Sequence, residues 1–513
     1  MTNDLDVLVV GAGLGGTSTA MFLARQGVRT MIVERHAGTS PHPRAAGQFP
    51  RTMEVLRIGG VADEVLAAGG ERAGIRIKVA ESVRGRVLHT IVEDFGEMMS
   101  AIDEITNAGW GSATQDQVEP IMLAQAEKFG ADVRFDTELT SFEQDESGVT
   151  AQLLNRTTGY VEQVRAKYLV AADGNRSPIR ERLGIPRHGK GTLSNVIGVV
   201  FDADLTDLLP DNEVWLYYLQ NPKFTGVFVN TQRPNRHIFA IEYHPEQGET
   251  AQDYTPERVA EVIRVGLDAP DLDPDIVWLG AWEMAAKVAE RWRDGRVFLV
   301  GDAGKVTPPT GAMGGNAAVC DGYDIAWKLA AVLKGEAGEG LLDAYEAERK
   351  PYAELVVNES LYNYVHRMAP HLAGDDIPEP LGHDKVILGY RNRSTAVIID
   401  DDDPAPVEDP FQPSARPGFH APKASLTDSQ STVDLFGRWL LFTGPDHVDG
   451  WREAAANAPV AVQVHSLGTE ADRYGVGANG ASLVRPDGIV AWRTTDEPAT
   501  DTVSTVLRTV LSR

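Results

Sequence analysis

The stretch DVLVVGAGLGG at residues 6–16 decides the fold, because it joins a short apolar run directly to a glycine-rich loop. A run of this kind is typical of a strand buried on both faces of a parallel sheet. Small and apolar residues at helical spacing follow over residues 17–26, and Gly27 supplies the stop. Residues 29–34, RTMIVE, form the next strand, so the chain is predicted to open with a βαβ unit.

The loop has the G-x-G-x-x-G spacing, in which each glycine has a physical task. Gly11 permits a tight turn, Gly13 lets the backbone approach a pyrophosphate, and Gly16 allows close packing of helix on strand. Gly15, between them, is predicted to lie in the same cofactor loop. The N-terminus of the following helix offers unpaired N–H groups to phosphates. The pattern therefore predicts a dinucleotide site.

An acidic residue stands at the end of the second strand, where such sites require one. Glu34 is placed to accept hydrogen bonds from a ribose diol, and Arg35 beside it is a further candidate cofactor residue. These features alone leave open whether the dinucleotide is NAD or FAD.

Two later segments bear on that choice. Residues 168–180, YLVAADGNRSPIR, read as a strand that breaks at Asp-Gly and enters a helix with basic residues. Residues 296–303, RVFLVGDA, read as an apolar strand ending in Gly-Asp, and they continue through TPPTGAMGGN at 307–316 into a long helix.

These three motifs, in this order, resemble the class A flavoprotein monooxygenases built on the para-hydroxybenzoate hydroxylase fold. The resemblance spans about residues 5–395, and residues 43–48 (PRAAGQ) and 50–54 (PRTME) carry a closer likeness to bacterial hydroxylases of aromatic polyketides. It implies bound FAD and an α/β fold, with a Rossmann-like FAD-binding domain and an inserted antiparallel-sheet substrate domain. In this family NAD(P)H reduces the flavin, O2 adds at its C4a carbon, and the hydroperoxide hydroxylates an electron-rich aromatic ring.

The resemblance also implies roles for particular residues. Asp302 would hydrogen-bond the ribityl chain of FAD, while Asp173 and Gly174 would lie near the pyrophosphate and help NADPH or NADH to dock transiently. Arg44 and Gln115 match positions that contact the flavin's phosphates or ribityl hydroxyls. The alternatives are a surface charge for Arg44 and a helix cap for Gln115.

The loop at residues 308–316 is predicted to lie against the flavin ring. Reduced flavin carries negative charge, and a helix N-terminus after a glycine-rich loop places backbone donors there at little reorganisation cost. Pro309 is a candidate for both catalysis and cofactor binding. The other cofactor-binding candidates of this loop are Gly311, Gly314, Gly315 and Asn316.

Substrate-facing residues are harder to predict. A cation near a phenolic oxygen would favour the reactive anion, and Arg391 and Arg393 are the candidates, with a structural ion pair as the alternative. Aromatic residues of the predicted sheet at 196–243 would line an apolar pocket or belong to the core. They include Trp215, Tyr217, Phe228 and Tyr243.

The chain is long enough for two or three domains. The aspartate- and proline-rich residues 400–423 are predicted to be a solvated linker. The last domain looks like the thioredoxin-like C-terminal domain of phenol hydroxylase relatives, but Cys320 is the only cysteine, so it lacks C-x-x-C and disulfide exchange is excluded. The predicted ranges are 1–75, 101–184 and 285–399 for the FAD-binding domain, 76–100 and 185–284 for the substrate-binding sheet domain, and 424–513 for the C-terminal domain.

Composition limits the partners. The net charge of −26 disfavours nucleic acid, and no apolar run approaches the ~18 residues that a membrane helix needs. We therefore expect a cytoplasmic protein whose partners are a small aromatic molecule, O2 and NAD(P)H, with self-association left open. No metal-ligand motif is found among the 12 histidines.

The sequence supports a hydroxylase best, with a role in secondary metabolism such as antibiotic biosynthesis. Polyketides, simple phenols and hydroxypyridines all remain candidate substrates. The alternatives are a non-oxygenating FAD-dependent reductase or dehydrogenase and a non-catalytic flavin sensor. A flavin-dependent halogenase is disfavoured because the W-x-W-x-I-P segment is missing.

Overall fold

The computed structural model describes residues 5–70, 74–92, 101–209, 213–231 and 235–513. The predicted domain ranges also include residues 1–4, 71–73, 93–100, 210–212 and 232–234, which lie outside the described residues.

The secondary structure follows the predicted order of elements. The strands are β1 (Leu5–Val10), β2 (Thr30–Val33), β3 (Gly74–Ala80), β4 (Val87–Val92), β5 (Asp132–Arg134), β6 (Thr137–Asp145), β7 (Gly148–Asn155), β8 (Val161–Ala171), β9 (Arg187–Asp202), β10 (Glu213–Asn221), β11 (Phe224–Asn230), β12 (Arg236–Tyr243), β13 (Asp275–Ala289), β14 (Arg293–Asp294), β15 (Val297–Leu299), β16 (Lys305–Val306), β17 (Ser425–Thr427), β18 (Gln430–Ser431), β19 (Trp439–Thr443), β20 (Val462–Ser466), β21 (Ala481–Val484) and β22 (Val490–Thr494). The α-helices are α1 (Leu14–Arg25), α2 (Pro50–Gly59), α3 (Ala62–Gly69), α4 (Gln115–Lys128), α5 (Pro178–Arg182), α6 (Pro256–Leu267), α7 (Met313–Leu333), α8 (Asp343–Arg367), α9 (His383–Leu388), α10 (Val448–Ala456) and α11 (Thr502–Val510).

A parallel sheet carries the glycine-rich loop. Its strands run in the order β15-β8-β1-β2-β5, with β14 antiparallel at one edge and the β6–β7 hairpin attached to β8. Strands β1 and β2 are apolar and largely buried, as expected for a sheet covered on both faces. Helices α1 and α7 approach so closely that a Cβ on Gly322 would lie 2.6 Å from the Gly15 carbonyl oxygen. The predicted Rossmann-like unit is confirmed.

A second, mostly antiparallel sheet packs beside the first. Its order is β16-β13-β9-β12-β11-β10-β3-β4, in which β10 and β3 are the parallel pair. Helix α6 covers one face, where Val259, Ile263 and Leu267 belong to the same core as the sheet's aromatic residues. Strand β13 ends at Ala289, and the two-residue β16 also pairs with it, so this sheet extends past residue 284.

The C-terminal sheet has a thioredoxin-like topology. Its order is β20-β19-β21-β22, with β19 and β20 parallel and the other pairs antiparallel. Helix α10 connects the parallel strands and α11 follows β22. The predicted turn at Asp487-Gly488 joins β21 to β22, and Gly488 takes a φ of +78°.

Residues 400–409 are exposed or half-exposed, whereas residues 417–422 are buried, so the prediction of a solvated linker fails for the second part of the segment. Asp400 pairs with Arg493 at 2.7 Å, and Asp403 pairs with Arg416 at 2.8 Å. Phe419 is fully buried. The aspartate run is compatible with this packing because nearby arginines neutralise it.

Among the described helices, none is long and apolar enough to cross a membrane.

Candidate active site

In the glycine-rich loop, backbone atoms pack closely against Gly11 and Gly16, whereas the space beside Gly13 is open. A Cβ on Gly11 would lie 2.3 Å from the Ala172 carbonyl oxygen, and Gly11 has a φ of +101°. A Cβ on Gly16 would lie 1.9 Å from the Gly11 carbonyl oxygen. At Gly13, by contrast, the nearest atom would be Glu119 Oε1 at 3.7 Å. Space is therefore kept at the position where the fingerprint requires close approach of a phosphate.

Glu34 lies directly beside this loop. Its Oε2 accepts a hydrogen bond from the Ala12 N–H at 2.9 Å, and its Oε1 accepts one from the His36 N–H at 2.9 Å. The side chain is thus fixed at the end of β2, where a ribose would bind. Arg35 is exposed, and its carbonyl oxygen accepts a hydrogen bond from Arg156 at 3.0 Å.

Asp173 provides an unsatisfied polar atom next to the same loop. Its Oδ2 accepts a hydrogen bond from the Ile179 N–H at 3.1 Å, whereas its Oδ1 is buried and has no partner among the described residues. Burial raises the pKa of this carboxyl. Gly174 has a φ of +82°, and a Cβ there would meet nothing within 4 Å. A buried atom without a partner beside open space is what a missing polar ligand would leave.

Asp302 lies in a cleft formed by several segments. Its side chain is accessible to solvent. The pKa of Asp302 is nevertheless raised, because the surrounding protein desolvates the carboxyl, and the charges of Lys305, Arg44 and Arg187 offset only part of this effect. Asp302 and Arg44 therefore lie close enough to interact, as a common cofactor site requires. Arg44 is exposed and forms no ion pair with the described residues.

Gln115 is linked to this region through both its backbone and its side chain. Its N–H donates to the Arg44 carbonyl oxygen at 2.8 Å, and its Nε2 donates to Glu119 Oε1 at 2.6 Å. Thr114, not Gln115, is the cap of α4. Since the Gln115 amide nitrogen is used in this way, its Oε1 is the atom left to accept a hydrogen bond from a ligand.

The loop that begins at residue 308 leads into α7 as predicted, but the helix begins at Met313, so Gly314, Gly315 and Asn316 lie in its first turn rather than in the loop. Ala312 stands before the helix with a φ of +55° and gives no side-chain cap, so the first N–H groups stay available. Pro309 is exposed, and the Gly311 carbonyl oxygen accepts a hydrogen bond from His383 Nε2 at 3.0 Å. The Thr310 hydroxyl donates to the Ser360 carbonyl oxygen at 2.7 Å, which anchors the loop on α8.

Gly314 and Gly315 let other segments approach α7. A Cβ on Gly315 would lie 2.9 Å from Leu14 Cδ1 and 3.1 Å from the Ala45 Cβ, and one on Gly314 would lie 3.0 Å from Thr307 Cγ2. The start of α1, the segment around Arg44 and the start of α7 therefore converge at one place.

The side chain of Asn316 is bound by the protein itself, and its cofactor contact stays a prediction. Its Oδ1 accepts from the Phe49 N–H at 2.8 Å, and its Nδ2 donates to the carbonyl oxygens of Ala312 and Gly47 at 2.9 and 3.1 Å. These contacts engage the side-chain amide, which ties residues 47–49 to the loop.

Arg391 and Arg393 do not lie at this cleft, and the structure shows the ion-pair alternative for Arg391. The Arg391 guanidinium is fully buried and binds both carboxylate oxygens of Asp401, at 2.9 and 2.6 Å. Arg393 donates to the Asp403 carbonyl oxygen. Both arginines thus bind the acidic segment that leads to the C-terminal domain, and neither is available to a substrate at the flavin loop.

The predicted pocket aromatics are core residues. Trp215, Tyr217 and Phe228 are buried in the core beneath α6, and Tyr243 packs partly buried against it. Because side chains alternate along a strand, the opposite face of β10 presents other residues. Tyr218, next to Tyr217, faces α8 instead.

Arg367, which the sequence did not single out, lies next to Tyr218 at the end of α8. Arg367 Nη1 lies 3.4 Å from the Tyr218 hydroxyl, and its Nη2 donates to Asn363 Oδ1 at 2.7 Å. Asn363 Nδ2 in turn would lie 3.3 Å from a Cβ on Gly311. The half-buried guanidinium of Arg367 is thus linked through Asn363 to the loop that contains Gly311. The signal that could have found it is the i, i+4 spacing of Asn363 and Arg367 near the end of a predicted helix.

A buried carboxyl accompanies this group on the same face of the sheet. Glu242 accepts hydrogen bonds from the Tyr364 hydroxyl at 2.9 Å and from the Ser194 hydroxyl at 3.1 Å, and burial raises its pKa.

Comparison with known proteins identifies the family. Residues 4–360 match the family described as FAD binding domain, and residues 414–513 match the aromatic-ring hydroxylase C-terminal family. The chain belongs to the FAD-dependent aromatic-ring hydroxylases.

Several of its relatives are named as aklavinone hydroxylases. The chain is 54% identical to aklavinone 12-hydroxylase RdmE of Streptomyces purpurascens, over 100% of this chain and 99% of that protein. It is 57% identical to aklavinone 12-hydroxylase DnrF of Streptomyces peucetius, over 86% and 92%. Among solved structures, an aklavinone-11 hydroxylase in ternary complex with FAD and aklavinone matches with a TM-score of 0.95, 53% identity and full coverage of both chains.

The residues of this hydroxylase fit FAD. The open face at Gly13 offers room to a dinucleotide, the unpartnered Oδ1 of Asp173 offers an acceptor, and the uncapped start of α7 offers N–H donors. Glu34 would hold the ribose, Asp302 the ribityl chain, and the N–H groups of α1 the diphosphate.

Proposed function

We propose that this hydroxylase acts on a polycyclic aromatic polyketide of the aklavinone type, with NAD(P)H as the electron donor and O2 as the source of the oxygen atom. The end-to-end identity of 54% to an aklavinone hydroxylase is the observation that carries the proposal. The coverage of the whole chain matters because it includes the second sheet, which we expect to present one face to the substrate.

Bound FAD supplies the oxygen-transfer chemistry, and the protein supplies orientation, exclusion of water and charge. The face of the second sheet that carries Tyr218 and Glu242 packs toward α8, while Pro309 and Gly311 bring the flavin loop to the same place. A flat polycyclic ring would therefore bind between the sheet and the loop.

Arg367 replaces Arg391 as the cation that we assign to the substrate. Arginine stays charged at all relevant pH values, so its guanidinium stabilises the anion of a phenolic hydroxyl placed near it. Tyr218 then orients that oxygen through its own hydroxyl, which lies 3.4 Å from Arg367. The phenolate is more electron-rich than the phenol, which favours attack on an electrophilic oxygen.

The test is substrate-stimulated consumption of NADPH and NADH by the FAD-loaded enzyme, with aklavinone, simple phenols and hydroxypyridines compared. We expect aklavinone or a close relative to stimulate oxidation and to yield a product one oxygen atom heavier. Stimulation and oxygenation confined to simple phenols or hydroxypyridines would overturn the substrate assignment. NAD(P)H consumption with no oxygenated product from any compound would favour a reductase.

A further inference from the structure

Glu119 is a buried carboxyl directly behind the phosphate-binding loop. It lies on α4 and is 1% exposed. Its Oε1 would be 3.7 Å from a Cβ on Gly13, and its Oε2 accepts a hydrogen bond from the Ser40 N–H at 3.1 Å. The carboxyl therefore lies where a bound diphosphate would come close to it.

The partners of Glu119 distinguish it from two other buried glutamates, Glu54 and Glu348. Glu54 contacts His420 and Arg51, and Glu348 contacts Lys328 and Arg485. Within the part of the chain that the structure describes, Glu119 forms no ion pair, and its contacts are the neutral donors of Gln115 and Ser40. A buried carboxylate without a cation is costly, whereas a carboxylic acid is not.

Glu119 also sets the orientation of Gln115. With Glu119 ionised, its Oε1 accepts from Gln115 Nε2 at 2.6 Å and the amide oxygen of Gln115 is directed away from Glu119. A proton on Glu119 Oε1 would donate to the amide oxygen instead, so the protonation state of Glu119 sets which end of the Gln115 amide is presented to the cofactor. Gln115 is the residue expected to contact the ribityl or phosphate part of the cofactor. Glu119 thus acts on the cofactor through Gln115.

We propose that Glu119 is a positioning residue for FAD and that it is protonated in the FAD-bound enzyme, so that FAD binding takes up a proton near neutral pH. The proposal rests on the family's FAD site but goes beyond the hydroxylation reaction. A neutral Glu119 keeps its hydrogen bond to Ser40 and avoids repulsion from the diphosphate.

The charges around Glu119 support this assignment. The pKa of Glu119 is raised to about 7, mainly by burial and also by the charge of Glu34. The hydrogen bonds from Gln115 and Ser40 and the charge of Arg44 act in the opposite direction. Arg44 comes from the loop after β2, and Glu34 from the end of β2 itself. A diphosphate adds negative charge nearby and must raise this pKa further. Since the pKa is higher in the complex, FAD affinity is constant below pH 7 and falls as pH rises above 7.

The test starts from the FAD-loaded enzyme and measures FAD release by flavin fluorescence after dilution, between pH 6 and pH 8. For the unaltered enzyme we expect the Kd for FAD to rise about tenfold over this range. Glu119→Gln mimics the protonated acid, so its Kd should change less than about twofold. Glu127→Gln, an exposed position on the same helix, is the matched control and should keep the tenfold rise.

A second readout does not depend on how tightly the variant binds FAD. The infrared difference spectrum between the FAD-loaded unaltered enzyme and FAD-loaded Glu119→Gln at pH 8 should contain the C=O stretch of one protonated carboxylic acid. A pH-independent Kd in the unaltered enzyme, or a difference spectrum without this band, would overturn the proposal while leaving FAD binding and hydroxylation intact.

Discussion

Arg485 of the C-terminal domain and Glu348 of α8 form a fully buried ion pair, with 2.5 Å between Arg485 Nη1 and Glu348 Oε1 and 3.0 Å between Arg485 Nη2 and Glu348 Oε2. Lys328 also binds Glu348 at 2.7 Å, and Asp487 binds Arg485. The end of β21 is thereby joined through charge to two helices of the FAD-binding domain. In a thioredoxin-like domain without redox cysteines, this contact gives the domain a packing role.

Removing the arginine should destabilise the whole enzyme. Arg485→Met leaves Asp487 buried without its cation, and breaking a buried pair in this way costs about 3 kcal/mol of unfolding free energy. Urea unfolding followed by tryptophan fluorescence measures the change. Arg452→Met, which breaks an exposed pair with Asp449, should cost less than about 1 kcal/mol. Equal effects of the two substitutions would contradict the packing role.

Two glycines of the same loop should respond differently to alanine. Gly13→Ala meets no backbone atom and lies at an ordinary φ of −75°, so the fold should be kept while FAD binds at least about tenfold more weakly. Gly11→Ala collides with the Ala172 carbonyl oxygen and should lower the melting temperature of the protein even without FAD. Thermal unfolding and FAD titration of both variants separate the effects. Unchanged FAD affinity in Gly13→Ala would show that the diphosphate binds elsewhere.

Adjacent tyrosines on β10 offer a matched pair for the substrate face. Tyr218 faces Arg367, while Tyr217 is buried in the core beneath α6. Tyr218→Phe should lower kcat/KM for hydroxylation about tenfold, because a hydrogen bond to a charged or developing anion is lost. Tyr217→Phe should leave kcat/KM within about twofold, since its hydroxyl takes no part in the site. If steady-state kinetics give the reverse order, the second sheet presents its other face to the substrate.

Arg367 should control the pH dependence of hydroxylation. If its charge stabilises the substrate phenolate, Arg367→Met should move the rise of the pH–rate profile to higher pH and lower the rate at pH 7 about tenfold or more. Arg367→Lys keeps a cation and should retain more of the activity. A pH profile identical to that of the unaltered enzyme would remove Arg367 from the substrate site.

The ionised side chain of Glu54 should stabilise the fold at neutral pH and lose this contribution as the pH becomes acidic. Burial alone would raise its pKa, but His420 and Arg51 lower it to about 2. Because the folded-state pKa lies below the unfolded value of about 4.5, the contribution is complete above that value and is lost as pH falls toward 2. The stability difference between the unaltered protein and Glu54→Gln should therefore shrink by about 2 kcal/mol between pH 6 and pH 3. A difference that does not change with pH would exclude an ionised Glu54 in the fold.

The sequence predicted the features that depend on local chemistry. The loop at Gly11–Gly16, the acid at Glu34 and the loop before α7 each combine a backbone requirement with a fixed neighbour in sequence, so their arrangement follows from the βαβ rules. The thioredoxin-like topology of the last domain is likewise confirmed.

Contacts between distant segments were not predictable in the same way. Arg391 precedes Asp401 by only ten residues, yet nothing in the sequence pattern shows that the aspartate run folds back onto Arg391. The alternation along β10 predicts that Tyr217 and Tyr218 face opposite sides, but not which side α6 covers. Arg367 and Tyr218 are 149 residues apart in the sequence, and their contact depends on how α8 packs on the sheet.

The most direct test of the central claim uses isotopically labelled dioxygen. The FAD-loaded enzyme is supplied with NADPH, aklavinone and heavy-isotope O2, and the product is analysed by mass spectrometry. The account predicts a hydroxylated product that carries one labelled oxygen atom, formed in proportion to NADPH consumed. NADPH oxidation that yields only hydrogen peroxide and unchanged aklavinone, under conditions in which the aklavinone is shown to bind, would contradict it.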